Sequence, residues 1–169
     1  REEIFTIARF NTTNPSKSTT LSEYISRMSE AQNEIFYITG ENSDALPKSP
    51  QLEGFISRNI EVLLLSDPID DFWTSAVQEF EKKSFKSVTH GSTNLSLFEK
   101  NESKKSETAS KKDSDIENSD SLIALLKLTL KDKVKDVRIS KRLTESPVCL
   151  VADETGIDIN VEKILRQQG

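Results

Sequence analysis

Three neighbouring aspartates are the strongest candidates for chemistry in this sequence. The carboxylates of Asp67, Asp70 and Asp71 could bind Mg²⁺ or act as an acid–base pair. The same residues also fit the start of a helix, because Asp67 can cap it and Pro68 suits the first helical position. The two later aspartates favour the positive end of the helix dipole. We therefore interpret the three carboxylates as helix-starting residues, with a metal or acid–base site as the alternative.

Other reactive side chains are sparse. A second acidic group, Asp153, Glu154 and Asp158, is typical of a loop that leads into a helix. His90 is the single histidine and lies in a polar run that predicts a surface loop. Cys149 is the single cysteine, in an apolar run that predicts a buried and unreactive strand residue. One cysteine and one histidine exclude a structural zinc site built from these residue types.

The composition argues against several classes of function. The five glycines form no phosphate-binding loop, and no nucleophile, base or metal set converges, so we expect no enzyme activity from this chain itself. A net charge of -5 argues against a nucleic-acid partner. No apolar run approaches the roughly 20 residues that span a bilayer, so we expect no membrane partner. A basic run lies along a predicted strand and indicates a solvated face, with an acidic or nucleic-acid partner as the alternative; its members are Lys135, Arg138, Lys141 and Arg142.

The elements that must position these residues follow from hydrophobic patterning. Residues 35–38 and 60–65 are continuous apolar runs that predict two buried strands, with a helix between them over residues 51–58. This order predicts parallel strands and a sheet covered on both faces. We expect Leu52, Phe55 and Ile56 to face inward from that helix. The fold class predicted is α/β (α+β overall), a small three-layer αβα module with a short parallel sheet, followed by the start of a second α+β domain.

The composition changes sharply in the second half of the chain. Residues 99–120 are almost entirely polar and predict a charged linker or exposed helix between two units. The predicted domains are therefore residues 1–98, the linker 99–120, and residues 121–169. In the last of these we expect an apolar helix from Ser121, strands near 134–140 and 148–151, and a terminal helix over 158–168.

Two adjacent aromatic residues follow the first acidic group. On one helix Phe72 and Trp73 point about 100° apart, so both cannot lie fully on the inner face. We expect an inner stripe of Phe72, Ala76, Val77 and Phe80, with one of the two rings partly exposed. An exposed aromatic ring beside acidic residues is a candidate protein-contact surface, and packing of both rings in the core is the alternative.

Several segments, in order and correctly spaced, resemble the heat-shock protein 90 family and within it the bacterial branch. Any one match would be weak, but the set is specific and covers nearly the whole chain outside residues 91–120. The matching segments are 21–28 for L-x-x-Y-x-x-R-M, 35–40 for I-Y-Y-I-T-G/A, 48–50 for K-S-P, 60–70 for E-V-L-x-L-x-D-x-I-D, and 134–147 for V-K-D-V-R-x-x-x-R-L followed by P.

The resemblance implies a section of a cytoplasmic, homodimeric, ATP-driven chaperone of the stress response. It places this chain at the end of the middle domain and the start of the C-terminal domain. ATP and Mg²⁺ would be bound upstream and dimerisation carried downstream, so no cofactor is expected in this chain, which should be monomeric. Non-native client proteins are the implied partners, with a client-binding site at Asp71, Phe72, Trp73 and Ser75. The family sequence is I-D-E-W where this chain has residues 69–72, so which ring makes the contact stays open.

A different class of function remains as the alternative. The chain could be a stand-alone acidic interaction module without ATP coupling, in which residues 91–120 fold on binding a partner. An ATPase domain encoded upstream in the same reading frame would distinguish the chaperone hypothesis from this one.

Overall fold

The computed structural model describes residues 2–14, 18–91, 93, 95–98, 113–153 and 158–168. The described chain forms two compact units, one of residues 1–99 with 142–169 and the other of residues 100–141. The predicted division into residues 1–98, a linker over 99–120 and residues 121–169 stays a prediction. Of that predicted linker, residues 99–112 lie outside the described part of the chain.

The first unit contains a sheet and the helices that cover it. The helices are α1 (Glu2–Ile7), α2 (Leu21–Arg27), α3 (Glu53–Ile56), α4 (Asp70–Ala76) and, after α5 of the second unit (Asp113–Leu130), α6 (Ile159–Gln168). The strands are β1 (Asn11–Thr12), β2 (Glu34–Thr39), β3 (Leu63–Leu65), β4 (Glu79–Phe80) and β5 (Lys83–Ser87). Single turns of 3-10 helix cover Leu46–Lys48, Pro50–Leu52, Leu95–Phe98 and Lys131–Lys133.

The sheet is mixed, with strand order β1-β3-β2-β5-β4. The predicted parallel pairing of the first two strands is confirmed, with Tyr37 of β2 opposite Leu63 of β3. Strand β5 is also parallel to β2, whereas β1 and β4 add antiparallel edges. The α+β class is confirmed, and the predicted parallel sheet is the centre of a sheet with antiparallel borders.

Both faces of the sheet are buried, as the continuous apolar strands predict. Along β2, Phe36 and Ile38 join one core cluster, while Ile35 joins another on the opposite face. The first cluster is closed by α3 and the 3-10 turns through Leu52 and Phe55. The second is closed by α1, α2 and α4 through these apolar residues: Phe5, Leu21, Tyr24, Ile25 and Trp73. A three-layer arrangement follows.

Helix α2 begins as the sequence predicts. The Thr20 side chain accepts a hydrogen bond from the Glu23 N–H at 3.2 Å, and the Glu23 carboxylate accepts one from the Thr20 N–H at 2.9 Å. This is a complete capping box, which satisfies two donors at the helix start. The hydrogen bonds from Thr19 and Thr20 also lower the pKa of Glu23.

Several predictions about individual side chains are wrong. Ile56, expected to face inward, is 49% exposed. The expected inner stripe of α4 also fails, because Phe72 and Ala76 are exposed and Phe80 belongs to β4. Helix α5 begins at Asp113 rather than at Ser121. Helix α3 is shorter than predicted, α4 ends before Phe80 and is rotated differently, and α5 is longer than predicted.

The two strands predicted at residues 134–140 and 148–151 are absent from the described structure. A strand needs a neighbour for its backbone hydrogen bonds, and neither segment pairs with one here. Directly after the second segment, Ala152 makes a single parallel bridge opposite His90, and its N–H donates to the Thr89 carbonyl at 2.9 Å. Cys149 is therefore a half-buried residue of an irregular segment, and burial raises the pKa of its thiol.

Candidate functional site

Helix α4 is positioned by the first acidic group, but not in the predicted way. Asp67 does not cap the helix through its side chain; its backbone carbonyl accepts a hydrogen bond from the Asp70 N–H at 2.9 Å. The buried Asp70 carboxylate accepts from the Asp67 N–H at 2.9 Å and from the Trp73 Nε1–H at 2.7 Å. Asp70 thus fixes both the turn before α4 and the orientation of the indole.

Trp73 belongs to the core rather than to the surface. Its ring centroid lies 5.1 Å from that of Phe5, 5.8 Å from that of Phe10 and 5.4 Å from that of Phe85. Tilted and edge-on aromatic contacts at these distances stabilise a fold beyond the area that they bury. The side chain is partly buried, so a packing role explains it fully.

Phe72 is the ring that faces solvent. It is 70% exposed, and Ile69, three residues earlier, is 63% exposed. Ile69 directly precedes α4 and already has helical backbone angles, so it lies on the same side as Phe72, three residues later. The two form an apolar patch, here called the Ile69–Phe72 patch. The expectation that one of the two adjacent rings is exposed is confirmed. A large apolar side chain left in solvent beside a second one is typical of a contact surface.

Asp71 and Ser75 differ in accessibility. Asp71 is only 8% exposed, and its Oδ2 accepts a hydrogen bond from Asn160 Nδ2 at 2.8 Å. Ser75 is exposed, and its hydroxyl donates to the Asp71 backbone carbonyl at 2.8 Å. Among the four residues predicted to bind clients, Phe72 and Ser75 are therefore accessible, while Asp71 and Trp73 are largely covered. Client binding by these residues stays a prediction.

The electrostatics of Asp71 reflect its burial. Desolvation raises the pKa of its carboxyl above the usual value, and the charges of Asp158 and Asp70 act in the same direction. The Thr39 hydroxyl and the Asn160 amide partly oppose this rise in pKa. The atoms Asp71 Oδ1 and Thr39 Oγ1 are buried, and neither makes a hydrogen bond of normal geometry. Burying a carboxylate oxygen without a full set of donors costs free energy. This contact therefore stabilises the fold less than a fully hydrogen-bonded carboxylate would.

The residues that carry the family resemblance prove to be mainly structural. The Tyr24 hydroxyl, buried between α2 and the sheet, donates to the Glu61 carbonyl at 2.7 Å and accepts from the Phe36 N–H at 3.2 Å. Arg27 binds the Glu61 carboxylate through two nitrogens, at 2.8 and 2.9 Å. A planar, two-point contact of this kind fixes geometry better than a single ion pair. This part of the motif thus joins α2 to the sheet.

Glu53 is a feature that the sequence interpretation missed. Its carboxylate accepts hydrogen bonds from the N–H groups of Thr144 at 2.8 Å, Glu145 at 3.0 Å and Ser146 at 3.1 Å, and from the Ser146 hydroxyl. These donors lower the pKa of Glu53 to about 2. The signal was weak, because nothing in the local sequence links a helix glutamate to a loop so far along the chain.

The backbone around Arg142 also lies close to α3, next to the Glu53 contact. A Cβ added to Gly54 would lie 2.9 Å from the Arg142 backbone oxygen. Arg142 also places its guanidinium 5.5 Å from the Phe55 ring centroid and donates to the Val88 carbonyl at 3.0 Å. The basic run predicted to line a strand therefore includes one residue, Arg142, that instead packs against α3 within the first unit.

A prediction follows for Glu53. In the Glu53→Gln variant, the neutral amide has one acceptor oxygen and cannot serve all of these donors. We expect the backbone amides of residues 144–146 to exchange with solvent roughly tenfold faster or more, as measured by hydrogen exchange. Glu30→Gln, a change at an exposed glutamate elsewhere in the chain, is the control and should leave this exchange unchanged. Equal exchange in Glu53→Gln and the parent would contradict the role of the carboxylate.

The pH dependence of this contact has a defined sign. The pKa of Glu53 is about 2 in the folded chain against an ordinary value of 4.5. A lowered pKa means that the carboxylate contributes fully to stability above about 4.5 and that the contribution falls as the pH drops towards 2. Amide protection at residues 144–146 should follow this course in the parent chain and be insensitive to pH over that window in Glu53→Gln.

Two further classes of site receive no support from the described residues. Within the ranges that the structure describes, no group of three or more His, Cys, Asp or Glu residues could hold a metal ion. Among the described helices, none combines the length and apolar character needed to cross a membrane.

Comparison with known proteins identifies the family. All residues from 1 to 169 match the family described as Hsp90 protein, and the chain belongs to that family. It is 47% identical over 169 residues to the chaperone protein HtpG of Roseobacter denitrificans, covering 100% of this chain and 27% of that relative. It is 45% identical over 168 residues to HtpG of Wolbachia sp. subsp. Brugia malayi, covering 99% of this chain and 26% of the relative.

A third relative agrees. The chaperone protein HtpG of Paramagnetospirillum magneticum is 45% identical over 166 residues, which cover 98% of this chain and 26% of that protein. The chain thus spans about a quarter of the length of the curated relatives it matches. The resemblance to the bacterial branch of the family is confirmed.

Proposed function

We propose that this chain is the section of an ATP-dependent bacterial chaperone that links its ATPase part to its dimerising part and contacts non-native clients. ATP and Mg²⁺ would be bound by other parts of the same chaperone, which works as a homodimer in the cytoplasm. Membership of the Hsp90 family and similarity to chaperones named HtpG support the chaperone assignment. Enzymatic ATP hydrolysis is assigned to the whole chaperone and not to this section.

The Ile69–Phe72 patch carries the assignment of a client surface. Its two side chains are 63% and 70% exposed, at the start of the helix at which the family resemblance implies client contact. The helix beneath is held by Asp70 and by Trp73, so the patch is presented on a fixed support. A small apolar surface suits weak and unselective binding of unfolded chains, because little area is buried in each contact.

The test is client binding by the whole chaperone that contains this sequence. We expect Phe72→Ala to weaken binding of an unfolded polypeptide roughly tenfold, since an exposed aromatic anchor supplies much of the energy of a small interface. ATP hydrolysis in the absence of client should be unchanged. Fluorescence anisotropy with a labelled, permanently unfolded protein measures the affinity.

Ile56→Ala is the matched control. Ile56 is a 49% exposed apolar residue on α3, so its truncation removes exposed apolar area at a different place on the same unit. Binding should be unaffected in this variant. Equal affinities of the parent, Phe72→Ala and Ile56→Ala proteins would refute the client surface, whatever the ATPase result.

A further inference from the structure

The start of α6 is attached to the carboxyl end of β5. The Asp158 carboxylate accepts hydrogen bonds from Ser87 Oγ at 2.5 Å, at the end of β5, and from Thr89 Oγ1 at 2.6 Å. Its other oxygen accepts from the Asn160 N–H at 3.1 Å, which caps the first turn of α6. Asp158 therefore fixes where α6 begins on the first unit.

The next contact reaches the helix that presents the client patch. Asn160 Nδ2 donates to Asp71 Oδ2 at 2.8 Å, and Asp71 directly precedes Phe72. Because Asp71 is only 8% exposed, its carboxylate is covered in this arrangement. The carboxylate of the residue directly before the exposed ring is thus bound by Asn160 of α6, which is 89 residues further along the sequence.

The charges around this contact weaken it. Asp71 and Asp158 face the same polar cluster and repel each other, and the neutral Asn160 amide lies between them. Tyr37 borders the cluster from β2, and its pKa is raised by burial and by the charges of Asp158 and Asp71. Asp71 Oδ1 makes no hydrogen bond of normal geometry. Burying a partly satisfied carboxylate is unfavourable, so solvent competes for it as soon as α6 moves.

We propose that α6 regulates the client surface through Asn160. With α6 docked, the surface is the apolar Ile69–Phe72 patch alone. With α6 released, the Asp71 carboxylate becomes accessible beside Phe72, and the surface gains a preference for client segments in which a basic residue adjoins an apolar one. The proposal rests on the proposed function, since it assigns the control of that same surface.

Asn160→Asp in the whole chaperone is the test. The substitution nearly preserves size but places a third carboxylate against Asp71 and Asp158, which repels α6. We expect faster hydrogen exchange across residues 159–168 and three- to tenfold tighter binding of a labelled peptide of alternating lysine and leucine. A peptide of alternating glutamate and leucine should gain nothing. Asn160→Ala, a milder change that removes only the amide, should act in the same direction if Asn160→Asp destabilises the fold.

Two further variants separate the possible outcomes. Glu162→Gln changes α6 at an exposed residue that pairs with Arg166 on the same helix, and it should leave peptide binding unchanged. Adding Asp71→Asn to Asn160→Asp should abolish the preference for the basic peptide. Faster exchange without tighter binding, or unchanged exchange in both Asn160 variants, would overturn the regulatory role. Failure of Phe72→Ala to weaken binding in the parent background would instead remove the proposed function itself.

Discussion

Replacing Trp73 by alanine is expected to lower the free energy of unfolding by about 2–4 kcal/mol, somewhat less than the roughly 3–5 kcal/mol typical of a core tryptophan, because Trp73 is only partly buried. The change removes three aromatic contacts, with Phe5, Phe10 and Phe85. It also leaves the buried Asp70 carboxylate without the indole N–H, which now lies 2.7 Å from it. Urea denaturation followed by far-ultraviolet circular dichroism measures the effect.

The neighbouring ring gives the control for this prediction. Phe72→Ala removes a side chain that is 70% exposed, so the free energy of unfolding should change by no more than about 0.5 kcal/mol. Trp73→Phe should fall between the two, because it keeps a ring in the core and loses the hydrogen bond to Asp70. Similar losses for Trp73→Ala and Phe72→Ala would mean that the division into a packing ring and an exposed ring is wrong.

Tyr24→Phe is the second large effect that we expect, a loss of about 1–3 kcal/mol of stability for removing a single oxygen. The Tyr24 side chain is 1% exposed, and its hydroxyl joins the Glu61 carbonyl, the Phe36 N–H and the Gln32 amide. Without the hydroxyl these buried groups lose a partner, and the free-energy cost is that of their desolvation. Burial also raises the pKa of Tyr24, so the group stays protonated and able to donate.

Ser26→Ala is the control on the same helix. Its hydroxyl is exposed and donates to the Glu23 carbonyl at 2.7 Å, a contact that water can replace. The loss of stability in Ser26→Ala should be within about 0.5 kcal/mol. A Tyr24→Phe variant as stable as the parent would show that the buried network contributes nothing, and the motif around Tyr24 would then lack its structural explanation.

The sequence could predict the centre of the fold because local patterns determine it. The apolar runs at residues 35–38 and 60–65 predict buried parallel strands, and Thr20 with Glu23 predicts the start of α2; both predictions hold. Strand β5 was not predicted because its sequence, Lys83–Ser87, has only one large apolar residue. Its pairing is imposed by the hairpin with β4 and by the edge of β2, neither of which is visible in local hydrophobicity.

In the second half of the chain, local patterns predicted strands that the described structure does not contain. Residues 134–140 and 148–151 have the composition of strands, yet a strand forms only where a partner offers matching donors and acceptors. In the described structure the second of these segments lies between residues 144–146, which bind Glu53, and Ala152, which makes the bridge to His90. Such contacts join residues far apart in sequence, so no local sequence pattern predicts them.

The sequence predicted that an aromatic ring would be exposed at the candidate site, but not which ring or which side chains would surround it. Adjacent rings at Phe72 and Trp73 required one to leave the inner face, and helix geometry alone supports that statement. Which ring is exposed depends on the aromatic residues of α1 and β5 that surround Trp73. The buried Asp71 carboxylate accepts a hydrogen bond from Asn160, and the sequence offered no reason to bring α6 against α4.

The most direct test of the client surface is a methyl nuclear magnetic resonance titration of the whole chaperone with an unfolded polypeptide. Isoleucine labelling provides a probe in the patch, Ile69, and probes elsewhere, including Ile7, Ile56 and Ile139, all of which are exposed. We predict that the Ile69 signal shifts or broadens on binding and that Phe72→Ala abolishes the change. An unperturbed Ile69 together with shifts at Ile56 or Ile139 would contradict the account and place the client surface elsewhere.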